Sequence, residues 1–171
     1  MEPITNNDFL NSVLEAEAWK MISRDESLSI DILSKYSDKL DWNEVSENSN
    51  IVWTLEGIDK FATKLNWTSF SQYCPDYIIN EITLQKFADC WNWEILSYRD
   101  CFTNWYLLEK FADKTVWSEV IATWNIERPL EFFARFQQYI PMEKLKNSRL
   151  WSSMILSRSK KIIQGLSDAV E

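Results

Sequence analysis

Histidine is absent from this 171-residue chain, and glycine, cysteine and long apolar runs are scarce. Without histidine, neither a Ser-His-Asp nor a Cys-His catalytic site can form, and zinc sites with histidine ligands are excluded. The two glycines, Gly57 and Gly165, are too few for a phosphate-binding loop or a dinucleotide-binding motif. The cysteines, Cys74, Cys90 and Cys101, lack CxxC spacing and are odd in number. They predict a reducing compartment rather than a disulfide framework.

Targeting segments and an excess of basic charge are also lacking. The start of the chain, MEPITNNDFLNSVLEAEAW, is acidic, and no window reaches the roughly 18 apolar residues of a membrane span. We therefore expect a cytoplasmic protein without a membrane anchor. Against 26 acidic residues stand 18 basic ones, a net charge of −8. This balance argues against direct nucleic-acid binding, which needs cations to neutralise phosphates, and favours a basic protein partner.

Tryptophan is abundant, with ten residues, and five of them recur at intervals of 23, 25, 26 and 24. Another step of 25 reaches Met142, and an aromatic residue stands six positions before each of the last five anchors. The anchors are Trp19, Trp42, Trp67, Trp93, Trp117 and Met142, and the preceding aromatic residues are Tyr36, Phe61, Phe87, Phe111 and Phe136. Such a period is typical of stacked supersecondary units. The aromatic ladder is interpreted as core; the alternative is a row for stacking bases or sugars.

Each repeat is predicted to contain two helices. Helix A carries the aromatic residue, and apolar residues three before and four after it complete one stripe. The residues three before it are Leu33, Ile58, Leu84, Leu108 and Phe133. Helix B begins at the anchor and reads Trp-x-x-apolar-Ser in the first four repeats. The small serine lets neighbouring helices approach closely or bonds back to a carbonyl. Thr54, Thr83 and Asn104 are predicted N-caps, and Pro129 is predicted in a first turn.

The sequence therefore predicts an all-α fold, a solenoid-like stack of about six short helical hairpins with a C-terminal capping helix. One domain spans residues 1–171. The predicted repeats cover residues 7–27, 28–50, 51–76, 77–101, 102–125 and 126–149, and the capping helix covers 150–166. Gly165, followed by Leu166, matches a glycine C-cap with its hydrophobic partner.

One cadence within the repeats has a known counterpart. Asp41 and Trp42 are followed by Ser46 and Asn48, and then by a hydrophobic residue and the pair Trp53-Thr54. This pattern resembles the tryptophan-rich tandem repeats of about 25 residues found in uncharacterised proteins of large DNA viruses and some bacteria. The resemblance covers roughly residues 30–125. It implies a repeat architecture and brings no catalytic residues, cofactor or established activity.

A cation precedes the aromatic residue of every A helix from the second repeat onward. These cations, called the cation ladder here, are Lys35, Lys60, Lys86, Lys110 and Arg135. On a helical wheel they point away from the apolar stripe. They form either a solvated ridge with i,i+3 Lys–Asp pairs or a ridge that docks an acidic surface.

Charge is also graded along the chain. Residues 1–60 carry a net −8, residues 61–128 a net −3 and residues 129–171 a net +3. Such a gradient arises by chance or steers and orients a partner. An acidic face in the first part would meet that partner, and it consists of Asp31, Asp38, Asp41, Glu44, Glu47, Glu56 and Asp59.

Catalysis is not predicted. The carboxylate pairs Asp41 with Glu44 and Glu15 with Glu17 fall in stretches that read as exposed, and no metal or cofactor is expected. The favoured hypothesis is a small inhibitor or immunity-type protein that occludes a toxin or effector. Two alternatives are an acidic mimic of nucleic acid that blocks a DNA- or RNA-binding protein, and a structural module that self-assembles through its oppositely charged ends.

Overall fold

The computed structural model describes residues 6–99 and 104–168, and all regular elements in these ranges are helical. The predicted all-α fold class is confirmed. The helices are α1 (Asn6–Asp25), α2 (Ile30–Lys35), α3 (Trp42–Glu47), α4 (Leu55–Phe61), α5 (Trp67–Tyr73), α6 (Glu81–Lys86), α7 (Trp93–Tyr98), α8 (Trp105–Lys110), α9 (Trp117–Thr123), α10 (Pro129–Phe136), α11 (Met142–Leu145) and α12 (Arg149–Asp168). Contacts divide the chain into two compact units, Met1–Asn92 and Trp93–Glu171. The domain and repeat bounds stay predictions.

Short A and B helices alternate from α2 to α11. The even-numbered helices end at or just before the aromatic residue, and the odd-numbered ones begin at the anchor. In the first unit α1 packs on α3 and α3 on α5; in the second, α7 packs on α9, and α12 packs on α9 and α10. The predicted hairpin over residues 7–27 is wrong, because α1 is one continuous helix. Its sequence contains neither glycine nor proline to interrupt it.

Two of the three predicted N-caps are confirmed. The Thr54 side chain accepts a hydrogen bond from the Gly57 N–H, and the Asn104 side chain accepts one from the Tyr106 N–H. Thr83 is not a cap. Asn80 caps α6 instead. The Thr83 hydroxyl, at the third helical position, accepts a hydrogen bond from the Asn80 backbone N–H, which completes a capping box.

Three further local predictions can be compared with the structure. Pro129 is the first residue of α10, as expected. Phe133 was assigned to the core stripe, but it is half-buried and Phe132 is fully buried instead. Gly165 does not end the last helix, which continues to Asp168, and no described glycine has a positive φ.

The core is built from contacts between successive repeats. Each B-helix tryptophan packs its indole on the aromatic residue of the following A helix, with an interplanar angle between 34° and 38°. The ring centroids lie 5.3 Å apart in Trp19–Tyr36, 4.8 Å in Trp42–Phe61, 5.2 Å in Trp67–Phe87, 5.4 Å in Trp93–Phe111 and 5.2 Å in Trp117–Phe136. Burying a large apolar side chain contributes roughly 1.5–3 kcal/mol. This placement supports the interpretation of the ladder as core.

The indole N–H of the tryptophan links the two helices of one repeat by a hydrogen bond. Its N–H donates to the carbonyl one residue beyond the aromatic residue, where helix A ends. The bonds are Trp42 Nε1 to Ser37 O at 2.9 Å, Trp67 Nε1 to Ala62 O at 2.8 Å and Trp117 Nε1 to Ala112 O at 2.9 Å. Carbonyls at a helix end lack helical partners, so the indole satisfies one of them.

The recurring serine of helix B joins one repeat to the next. Ser23, Ser46, Ser71 and Ser97 are buried, and each hydroxyl donates to the carbonyl of the tryptophan four residues earlier. Each also accepts a bond from the backbone N–H just before the next tryptophan. The donors are Asp41 (3.0 Å), Asn66 (2.9 Å), Asn92 (2.9 Å) and Val116 (2.9 Å). The predicted bond back to a carbonyl is confirmed, and the bond to the next repeat is additional.

The exception to this serine has a physical reason. Ile121 takes the place of serine in α9 and is fully buried. The residue before the next anchor is Pro141, which has no N–H to donate. A hydroxyl at position 121 could therefore not accept a backbone hydrogen bond from residue 141, and an apolar side chain occupies this buried position instead.

The two-way bond predicts a stability loss for Ser46→Ala. This substitution leaves the Asn66 N–H, which takes part in a part-buried hydrogen bond, without its acceptor, and the loss costs about 1 kcal/mol. Urea unfolding monitored by circular dichroism measures the loss. Ser49→Ala is the control, because Ser49 is exposed. Equal stability of the Ser46 and Ser49 variants would contradict the role assigned to the serine.

Candidate functional site

The cation ladder is exposed and lies in the last turns of the A helices, because these helices end at or just before the aromatic residue and do not continue four residues beyond it as the predicted stripe required. Three of them bond to the preceding A helix. The pairs are Lys60 Nζ to Ser34 Oγ at 2.6 Å, Lys86 Nζ to Asp59 Oδ1 at 3.0 Å, and Arg135 Nε and Nη2 to the two Glu109 carboxylate oxygens at 2.7 Å each. All three acceptors stand two residues before the aromatic residue of their own helix. The ladder therefore links neighbouring helices, a role that the predicted i,i+3 pairs did not include.

A second row of cations stands three residues after the aromatic residue and was missed by the sequence analysis. Its lysines lie over the tryptophan of the preceding B helix. The distances from Nζ to the ring centroid are 5.3 Å for Lys39 over Trp19, 5.5 Å for Lys64 over Trp42 and 5.9 Å for Lys114 over Trp93. The alignment on the anchors contained the signal, because lysine recurs at this position. These contacts shield half-buried indoles and add cation–π attraction.

Most of the predicted acidic face is occupied by contacts within the fold. Asp41 is the N-cap of α3 and accepts bonds from the Asn43 and Glu44 N–H groups. The ion pairs and hydrogen bonds of the other engaged residues are Glu44 with Lys20 at 3.6 Å, Asp38 with Lys64 at 3.5 Å, Asp59 with Lys86 at 3.0 Å and Glu47 with Ser69 at 3.0 Å. Three of the seven carboxylates are thus paired with cations of the same unit, and two more accept hydrogen bonds from uncharged groups.

Asp31 and Glu56 are the exposed carboxylates of this set without a polar contact in the part of the chain that the structure describes. They occupy the same place, the second residue of α2 and of α4. These helices approach closely at Gly57. A Cβ atom added to this glycine would lie only 2.5 Å from the Cδ1 atom of Ile30. The second residue of α6 is Ile82, whose side chain is 64% exposed. The same helical position therefore presents two acids and an apolar residue to solvent.

Hydrogen bonds from cations lower the pKa of three carboxyl groups, Glu109, Glu15 and Asp25, the last through the neighbouring Arg24 guanidinium. The Arg135 guanidinium, donating to Glu109, lowers the pKa of that carboxyl below its ordinary value. The Lys39 ammonium does the same to the pKa of Glu15, with a smaller contribution from the indole of Trp19. Stabilised in their charged forms, these carboxylates are poor candidates for a general acid.

The candidate groups for catalysis are placed as follows. Glu15 of the pair Glu15–Glu17 bonds to Lys39, and Asp41 of the pair Asp41–Glu44 caps a helix. Cys74 is buried and Cys90 exposed, whereas Cys101 lies outside the described residues. Within residues 6–99 and 104–168, no cluster of His, Cys, Asp or Glu could hold a metal ion, and no helix is long and apolar enough to cross a membrane.

A cavity of about 530 Å³ lies in the second unit beside Trp105. The guanidinium carbons of Arg128 and Arg135 lie 4.9 and 5.6 Å from the centroid of this ring. Both cations are already paired, Arg128 with Glu131 at 3.0 Å and Arg135 with Glu109. The charges of this cavity therefore serve the packing of α8 against α10.

Comparisons with known proteins leave the functional argument to the chain's own residues. Neither a protein-family model, nor a curated protein, nor a solved structure matches the chain significantly.

The Glu109–Arg135 pair predicts a pH-dependent stability. Because the folded-state pKa of Glu109 is lowered, its contribution is present above the ordinary carboxyl pKa and is lost as the pH falls through the folded value. Glu109→Gln should lower the melting temperature slightly at neutral pH, and the difference from the wild type should vanish in acid. Thermal unfolding over a pH series measures this.

The matched control is Glu127→Gln, which removes an exposed carboxylate in the same unit. Its melting curve should follow the wild type at every pH. A deficit of Glu109→Gln that persists unchanged in acid would show that the ion pair is not its cause.

Proposed function

We propose that this chain is a non-catalytic protein-binding repeat module, a small inhibitor or immunity-type protein that occludes a basic toxin or effector. The observation that carries the proposal is the second position of the A helices, which is exposed to solvent in α2, α4, α6 and α8. In the first unit it holds Asp31, Glu56 and Ile82, all exposed. An exposed apolar residue can be buried by a partner, exposed acids can pair with a basic partner surface, and solenoid-like repeats offer extended surfaces for both.

Internal variation supports this choice of surface. From α2 to α8 the positions that join repeats keep their chemistry: aromatic residue, tryptophan, serine and cation. The second position of helix A changes instead, and Tyr106 occupies it in α8. In a repeat protein the recurring residues maintain the stack, so the varying exposed ones are free to specify a partner.

The same surface favours a protein partner over nucleic-acid mimicry. A mimic needs regularly spaced carboxylates in place of phosphates. In the first unit the second position is acidic only twice, and Ile82 interrupts the series. Most other acids of the predicted face are paired with lysines. The net charge of −8 would still attract a basic partner and raise its association rate.

The test uses the double variant Asp31→Lys, Glu56→Lys. The partner is first captured from the source lysate on immobilised wild-type protein at low and high salt and identified by mass spectrometry. Its affinity for the variant, measured by calorimetry, should fall by about tenfold or more, because lysines would face a basic surface. The melting temperature should fall only slightly, since neither carboxylate makes a polar contact within the described residues and only its favourable position in the first turn of a helix is lost.

The control carries the same charge change elsewhere. Asp113→Lys with Glu127→Lys alters two exposed acids of the second unit and should bind like the wild type after correction for net charge. Equal affinity of both double variants would overturn the assignment of the partner surface to Asp31 and Glu56. Displacement of the captured partner by DNA or RNA would instead establish nucleic-acid mimicry. Asp38, Asp41 and Glu44 are unsuitable for this test, because their substitution would also remove an N-cap and two ion pairs.

A further inference from the structure

The outer ends of the two long helices are exposed although both are rich in apolar residues. In α1, residues 7–18 are exposed throughout, and in α12 the same holds for 155–167 apart from Ser157. The large apolar side chains of these segments, between 41% and 64% exposed, are Phe9, Leu10, Val13, Leu14, Ile155, Leu156, Ile162, Ile163 and Leu166. Isolated helices of about 12–15 residues are marginal in water, so a helical end of this kind gains stability from a partner that covers it.

In α12 the exposed apolar residues form a stripe. Ile155, Ile162 and Leu166 are separated by seven and four residues, which places them on one line along the helix. Leu150 and Met154 are buried where α12 packs on α9 and α10, and they lie on a different face. The inner face of α12 therefore serves its own unit, and the outer stripe is open.

The exposed apolar surface of α1 lies among acidic residues, whereas that of α12 lies among basic ones. Phe9 and Val13 are four residues apart on one face, and Leu10 and Leu14 continue it. The buried residue of α1 is Ser23, near the opposite end of the helix, where α1 packs on α3. The first part of the helix thus carries an apolar surface that its own unit does not cover.

The charges of the two segments are complementary. Residues 7–18 contain three acids and no basic residue, whereas residues 155–167 contain three basic residues and no acid. The acids are Asp8, Glu15 and Glu17, and the basic residues are Arg158, Lys160 and Lys161. Lys39 pairs with Glu15 and offsets one of the three acids, so the α1 segment with its bound lysine still carries a net negative charge. Opposite charges around apolar helix faces select a partner and fix its orientation.

We propose that these two surfaces bind each other between copies of this chain, the end of α1 in one copy packing on the outer stripe of α12 in another. The contact is heterologous, because two different surfaces meet, and it either closes into a ring or continues as an open chain. Pairing of α12 with a second α12 would juxtapose like charges and is disfavoured. Two segments of about three turns each make a small interface, so the association depends on concentration.

The test measures self-association by sedimentation velocity from dilute to concentrated solution. Wild-type protein should form dimers and larger species as the concentration rises, and high salt should weaken them because screening removes the charge attraction. A wild-type protein that stays monomeric up to its solubility limit would overturn the proposal.

Two variants establish which surfaces meet. Leu10→Gln with Leu14→Gln disables the α1 surface, and Ile162→Gln with Ile163→Gln disables the α12 surface. Each variant alone should be monomeric, whereas their equimolar mixture should form a heterodimer. This heterodimer cannot grow, because its one contact uses the intact α12 surface of the first variant and the intact α1 surface of the second, and only the two disabled surfaces remain. Self-association of the α1 variant alone would show α12–α12 pairing and reject the heterologous contact.

The control is Val52→Gln with Met142→Gln, which removes two apolar side chains that are 70% and 58% exposed and lie outside both segments and outside the proposed partner surface. It should associate like the wild type, and loss of association in this variant would reject the assignment to α1 and α12. Circular dichroism should show the wild-type helix content for every variant. Asp31 and Glu56 are unchanged throughout, so failure here is distinguishable from failure of the proposed partner surface.

Discussion

Each recurring tryptophan makes contacts within its own repeat and with the next, and the fold depends on this double role. The ring of Trp42 packs on Phe61 of the following A helix, while its N–H bonds to the Ser37 carbonyl at the end of its own A helix. Helices of six or seven residues are too short to be stable alone, since nucleation is costly and few hydrogen bonds repay it. The indole gives such helices both a buried apolar surface and a partner for an end carbonyl. Ser46 then fixes the register by binding the Asn66 N–H.

Features that depend on spacing along one chain segment could be predicted from the sequence. The period, the start of the B helices at tryptophan and the buried residues Leu33, Ile58, Leu84 and Leu108 follow from helical periodicity. Contacts that depend on the register between repeats could not. The direction in which Lys86 bonds, back to Asp59, is set by how α6 lies on α4. Thr83 was mistaken for a cap because Asn80, three residues earlier, offers the same chemistry at the true helix start.

Charge has mainly a structural role in the described part of this chain. Lysines bond across to the preceding helix or cover its tryptophan, and the matching acids of the first unit are thereby neutralised. Exposed pairs of this kind contribute little individually, but their repetition fixes one register among several that an apolar stripe alone would allow. A count of surface charge therefore overestimates what is available to a partner. Asp31 and Glu56, which make no such pairs within the described residues, therefore indicate a binding surface better than the overall acidic composition does.

The end of the series shows how the same rules stop a repeat. At α9 the serine gives way to Ile121, and Pro141 removes the N–H that a serine would have bound. The anchor becomes Met142, which is 58% exposed and cannot donate a bond as an indole does. Where these three linking groups are lost, α11 is only four residues long, and α12, with Leu150 and Met154 buried, packs on α9. A long helix supplies its own backbone hydrogen bonds and needs only an apolar face, so it can close a series whose polar links have ended. Its outer face is then released from the repeat pattern, which is why that face can carry apolar residues between basic ones.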